Sequence, residues 1–168
     1  IHSEYIRERR VPTEKEIADL TDRMFHLRFG VGDMKENMKR TALTTVKNYV
    51  NFHSKNFSKI LDSEKRFQFV MDKALISGTI DLIKDAAENQ EILDETKIVE
   101  TIDFKTDKEI DGKYKLDHSE QVRFYSLAES ISLNSVPKKG TIHHIDTNKT
   151  EDVKINSNEL QKTQDAII

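Results

Sequence analysis

The chain contains no cysteine, only two prolines and only five glycines, and no apolar run approaches the roughly 18 residues that would cross a bilayer. Without thiols there is no disulfide scaffold, no thiolate metal site and no cysteine nucleophile, and the absence fits a reducing cytosol. So little glycine and proline excludes a collagen-like or linker-like chain. No G-x-x-x-x-G-K-[ST] segment is present, so these residues hold no P-loop for ATP. A Ser/His/Asp elbow and an HExxH zinc motif are absent as well. What the chain does have is charge: 34% of its 168 residues are charged against 36% hydrophobic, with a mean hydropathy of -0.67. That composition suits one modest core under a heavily solvated surface, and it is too polar for a membrane protein. The chain opens on Ile1 with no signal-peptide pattern, and it reads as a piece cut from a longer protein.

Charge is unevenly spread. Residues 1–70 carry 14 Lys and Arg against 10 Asp and Glu, whereas residues 71–168 carry 13 against 20. An acidic chain is a poor general binder of nucleic acid, yet clustered carboxylates are what a hard divalent cation needs.

Periodicity divides the chain near residue 60. Residues 1–60 read as helical. Pro12-Thr13-Glu14-Lys15-Glu16 is a helix start, with Thr13 as cap and Glu16 at the capping-box position. Ile17, Leu20, Met24 and Leu27 follow on one face, and Phe29-Gly30-Val31-Gly32 ends that helix. A second helix over 35–57 turns Met38, Val46, Tyr49 and Val50 inward. Residues 2–10 read as the tail of an earlier helix. Residues 61–168 change period. Strands are expected over 66–70, 75–84 and 97–105, with a hairpin turn at Met71-Asp72-Lys73-Ala74. Loops are expected over 85–96 and 106–117, a helix over 119–131, short strands over 141–145 and 153–155, and a terminal helix from Ser157. The class is α/β: one domain with a small mixed sheet flanked by helices and a helical N-terminal part.

The sharpest local feature is Val99-Glu100-Thr101-Ile102-Asp103-Phe104-Lys105-Thr106. On a strand Asp103 and Lys105 leave the same face. A carboxylate there can hold a metal while the ammonium orients an attacking water. The spacing alone says little. Four Asp-x-Lys triplets occur, at 33, 103, 111 and 152, where composition would give about two. Only the one at 103 ends an apolar strand that follows another strand carrying an acid between apolar neighbours. That acid is Asp81, in Gly78-Thr79-Ile80-Asp81-Leu82. A carboxylate there needs compensation, from a shared cation or from a basic neighbour. Gly78 would admit a close approach by backbone or substrate. On the following helix Gln121 and Tyr125 are four residues apart and share a face. His26, His53, His118, His143 and His144 read as structural or surface residues.

In order, Gly78-x-x-Asp81, Asp103-x-Lys105-Thr106 and Gln121-x-x-x-Tyr125 resemble the RecB-type branch of the PD-(D/E)XK nucleases, whose pattern runs GxxD, DxKT, QxxxY. Ile1-His2 resembles the end of that branch's upstream G-x-x-x-H segment. The helical stretch before the motif strands is similar to nuclease domains at the C-terminus of UvrD/Rep-type ATP-dependent DNA helicases. The resemblance covers roughly residues 1–146. It implies a restriction-endonuclease-like core and a Mg²⁺- or Mn²⁺-dependent deoxyribonuclease. Asp81, Asp103, the Phe104 carbonyl and His2 would be the metal ligands, and Asp81, Asp103, Lys105, Gln121 and Tyr125 the catalytic set. It further implies DNA as partner, as single strands or unwound ends. A helicase motor, fused or associated, would bind the ATP. The setting would be prokaryotic, cytoplasmic and nucleoid-associated, in repair or recombination. The alternative is a non-catalytic DNA-binding or scaffolding module on the same fold.

Overall fold

The computed structural model describes residues 1–26, 32–87, 97–106 and 112–167, with the side chains of 112–117 left aside. The chain forms two compact units, Ile1–Ser58 and Lys59–Ile168.

The first unit is helical. Helix α1 spans His2–Glu8 and ends on Arg9, which takes the left-handed conformation at φ 55°. Helix α2, Glu14–Met24, starts with a complete capping box. Thr13 Oγ1 accepts from the Glu16 amide at 3.3 Å, and the Glu16 carboxylate accepts from the Thr13 amide at 2.7 Å. Two of the helix's orphan donors are thereby satisfied. Helix α3 spans Asp33–His53, and a 3-10 turn follows over Ser54–Lys59. Ile17, Tyr49, Val50 and Phe57 are buried, but Met24 and Met38 are exposed. The apolar faces of α2 and α3 are therefore narrower than their spacing predicts. The expected α2 end at 29–32 and Leu27 fall mostly or wholly outside the described residues.

The second unit is a five-stranded mixed sheet in the order β1-β2-β3-β4-β5. Its strands are β1 Ile60–Met71, β2 Ala74–Asp85, β3 Lys97–Lys105, β4 Ser135–His144 and β5 Lys149–Val153. Helix α4, Gly112–Ser132, joins β3 to β4, and helix α5, Ser157–Asp165, closes the unit. All neighbours pair antiparallel except β3 with β4. Parallel partners need a crossover, and α4 supplies it. The β1–β2 hairpin turns on Asp72 and Lys73, both at positive φ (42° and 68°), as a tight two-residue turn requires.

Several expectations need correction. Strand β1 begins at Ile60, six residues before the expected start at 66. Helix α4 begins at Gly112, so 112–117 are helical backbone where a loop was expected; residues 107–111 lie outside the described set, as do 88–96. Strand β4 begins six residues before Thr141. Residues 135–140 fall in no expected strand, yet Pro137, Lys139 and Gly140 pair with β3 across a register shift that leaves Lys138 unmatched, where a residue without an N–H is tolerated. The last strand covers 149–153, so Ile155 lies beyond it and packs with Val122, Ile142 and Val153 under α4.

Gly78 also has a different use from the one expected. A Cβ there would lie 2.6 Å from the tip of the Phe67 ring. Phe67 is its cross-strand partner, so the space is filled by an aromatic side chain of the same sheet. Phe67 joins Phe69, Ile80, Ile83, Val99 and Ala128 in the main core cluster. Among the described residues no helix is long and apolar enough to cross a membrane.

Candidate active site on the α4 face of the sheet

Strand register places the two acids. Ile83 pairs with Thr101 in the antiparallel β2–β3 ladder. Side chains two residues apart share a face, so Asp81 and Asp103 lie on the same side as that pair. It is the side α4 covers, since Thr101 Oγ1 is 2.9 Å from Ser126 Oγ. Opposite Asp81 the β1 ladder skips Glu64, whose φ is 52°.

Asp81 is half-buried. Its Oδ2 accepts a 2.8 Å hydrogen bond from the Phe104 amide, which ties β2 to β3 just beyond the paired stretch. Asp103 is 2% exposed. Lys105 Nζ stands 2.8 Å from its Oδ2. The approach is off the line of a sound hydrogen bond, so this buried oxygen has a cation beside it but no well-directed donor. Burial raises the Asp103 carboxyl above its ordinary value; Lys105 opposes that rise, Asp81 adds to it, and His118 weakly opposes it.

Lys105 also donates to Gln121 Oε1 at 2.8 Å. Gln121 Nε2 in turn faces the Tyr125 hydroxyl at 2.7 Å. The i, i+4 spacing on α4 lets amide and phenol meet, and the Tyr125 ring rests edge-on against Phe67, 6.1 Å between centroids. Asp103, Lys105, Gln121 and Tyr125 thus form one connected polar chain, with Asp81 alongside on the same face.

His2 belongs to the first unit. There its Nε2 lies 2.8 Å from the Tyr49 hydroxyl, and its ring meets Tyr49 and Phe57 edge-on at 5.4 and 5.6 Å. Burial raises the Tyr49 phenol well above its ordinary value, so it stays neutral.

The spacing arguments missed several neighbours of this site. His144, set aside above, pairs in register with Lys105. It is buried, and its Nε2 lies 3.2 Å from Glu151 Oε1. Glu129 was not singled out at all, although it follows Tyr125 by four residues and Gln121 by eight, on the same stripe of α4. It is fully buried. Helical spacing was the signal that could have found it.

Two carboxylates on one face offer the oxygen donors that suit a hard divalent cation. Asp103 fits such a role, because a buried carboxylate oxygen without a directed donor is costly to leave so. Among the described residues, no three His, Asp or Glu side chains converge as a metal cluster.

No family model matches the chain, and no curated protein matches it either. Among solved structures, the crystal structure of SSO0001 aligns with 92% of this chain and 84% of its own length, at 14% identity and a TM-score of 0.40.

Proposed function

We propose that the unit Lys59–Ile168 is a metal-dependent DNA nuclease of the RecB-type PD-(D/E)XK kind, working with a helicase motor on single-stranded or unwound DNA. The observation that carries this reading is the connected chain Asp103–Lys105–Gln121–Tyr125 beside Asp81. Residues from three separate segments, each unremarkable alone, meet on one face of one sheet.

Asp81, Asp103 and the Phe104 carbonyl would hold Mg²⁺ or Mn²⁺. When bound, the cation offsets phosphate charge and makes water more acidic. The protein's own groups do the rest. The Lys105 side chain is only 15% exposed, so its ammonium acts in a medium where a charge is felt strongly. Its position between Asp103 and Gln121 lets it orient water toward phosphorus. Gln121 fixes the direction of Nζ, and Tyr125 fixes the carboxamide of Gln121. Their amide and phenol also offer polar contact to a DNA strand.

The test is cleavage of labelled single-stranded DNA by the full chain with Mg²⁺ or Mn²⁺, run beside DNA binding at fixed salt. Lys105→Ala should lose about 10²–10⁴-fold in rate. DNA binding should change little, since one lysine accounts for at most about one phosphate contact. Asp103→Ala should lose metal affinity as well. Cleavage undiminished in Lys105→Ala overturns the reading, and DNA binding with no metal-dependent cleavage favours the non-catalytic module.

A further inference from the structure

Two rows of side chains face each other across the β3–α4 contact. The strand row is Thr101, Asp103, Lys105; the helix row, running the other way, is Glu129, Tyr125, Gln121. Two rungs join them. Lys105 Nζ to Gln121 Oε1 is 2.8 Å, and Thr101 Oγ1 to Glu129 Oε2 is 2.7 Å. The rungs are commensurate: four strand residues advance about 13 Å, and eight helix residues advance about 12 Å. Both hydrogen bonds therefore form at one register of helix on strand, and Asp103 lies between them.

The lower rung is unusual chemistry for a core. Thr101, Ser126 and Glu129 are each 0% exposed. Thr101 Oγ1 reaches both Ser126 Oγ and Glu129 Oε2, and Glu129 Oε1 has no hydrogen-bond partner among the described residues. An apolar side chain of similar volume would fill this place without stranding a polar atom. What the carboxyl adds is direction, because a hydrogen bond fixes a register that apolar contact leaves free to slide.

We infer that Glu129 is a positioning residue of the site: through the hydrogen bond it accepts from Thr101 it sets the register of α4 on β3, and so the alignment of Gln121 and Tyr125 with Asp103 and Lys105. This deepens the nuclease reading and rests on it for the kinetic consequence alone. Burial pushes the Glu129 carboxyl up to about 7, with the Thr101 hydrogen bond opposing. The elements packed on α4 are β1, β3, β4, β5 and α5. Charged or titratable groups of those elements include Lys65, Asp103, Lys105, His144, Glu151 and Glu159, and none of them is among the causes of that shift. The neutral form is thus the one the fold accommodates. Ionisation strengthens the single hydrogen bond from Thr101 but leaves a buried charge with no cation beside it, a cost that loosening α4 on β3 relieves.

Two variants separate positioning from simple packing. Glu129→Gln keeps a neutral hydrogen-bonding group, whereas Glu129→Met keeps the stem and the volume without it. The first readout is the side-chain amide resonances of Gln121, followed by NMR from pH 6 to 9 in the full chain; these report the upper rung whether or not the protein cuts DNA. Glu129→Met should move them at every pH. The parent should move them as pH rises through about 7, and Glu129→Gln should hold them still. The second readout is cleavage of single-stranded DNA with Mn²⁺. Glu129→Met should lower kcat between about 10- and 100-fold with KM little changed, and Glu129→Gln should retain kcat and lose the alkaline decline. Gln121 resonances unmoved in Glu129→Met, or a pH response that survives in Glu129→Gln, would overturn the inference. If the parent cuts no DNA with either metal, the nuclease reading fails, and the Gln121 signals still decide the role of Glu129.

Discussion

The two units handle charge in opposite ways. In Ile1–Ser58 the ion pairs lie on the outside: Arg10 with Glu16, Lys39 with Asp22 and Lys47 with Glu14 all keep substantial exposure. The buried residues described there are aliphatic or aromatic apart from Pro12, and rings supply much of the packing, as where Tyr49 stacks on His53 at 4.8 Å. In Lys59–Ile168 polar groups are carried inward. Every buried polar or charged residue among those described, from Lys84 to Thr163, belongs to this unit. Exposed pairs add little to stability and cost little to hold. Buried ones carry a desolvation penalty that burial energy elsewhere must offset. The first unit's charges can be read as a solvated surface, whereas the second unit's need a reason, and for Asp103, Glu129 and His144 the candidate site on the α4 face supplies one.

Breaking the contrast at its strongest point should give the largest effect. Lys105→Ala should cost about 10²–10⁴-fold in cleavage rate, while Lys47→Ala in the first unit leaves the rate unchanged in the same assay. Next is the pH dependence of stability. The folded state holds the Glu129 proton more tightly than the unfolded chain does, about 7 against an ordinary 4.5. Its contribution is complete below about pH 4.5 and is lost as pH rises through 7, a swing on the order of 3 kcal/mol. Denaturant titrations at pH 5 and pH 8 should therefore diverge in the parent and draw together in Glu129→Gln. Gly78→Ala forces a methyl group into the Phe67 ring and should destabilise the second unit by about 1–3 kcal/mol, read as an earlier urea midpoint. In the first unit Thr13→Ala removes the α2 cap and should cost about 1 kcal/mol, measured the same way. Smallest of all, Lys47→Ala breaks only an exposed pair with Glu14 and should leave the melting temperature unchanged.

How much of this was legible in the residues follows from which forces are local. The capping box at Thr13 and Glu16, the β1–β2 turn and the shared faces of Asp103 with Lys105 and of Gln121 with Tyr125 all depend on neighbours within a few residues, and each stands in the structure. The first half of β4 was not legible. Pro137 and Gly140 argue locally against a strand, and only pairing with β3, some forty residues earlier, overrides them. A Cβ at Gly140 would lie 2.6 Å from Val122, so that glycine answers to helix packing and not to a turn. The candidate site was legible as a set of residues sharing faces but not as a surface. Nothing near His144 says that it will stand beside Lys105, because a parallel register is set by the crossover between the strands. Glu129 was overlooked because an acid on a helix ordinarily faces solvent.

The order of assembly follows from the same crossover. The β1–β2 hairpin closes through a two-residue turn, so it can form as soon as its own residues are free to meet. The β3–β4 pairing must wait for α4, since its partners are separated by the whole helix, and such contacts form late because a long loop is closed before they reward it. Asp81 comes from that hairpin, whereas Asp103 lies on β3 and Lys105 finds Gln121 only when α4 docks. A chain emerging from the ribosome would therefore carry both acids well before Lys105 could meet Gln121, and the residues of β4 would be the last needed to lock that contact.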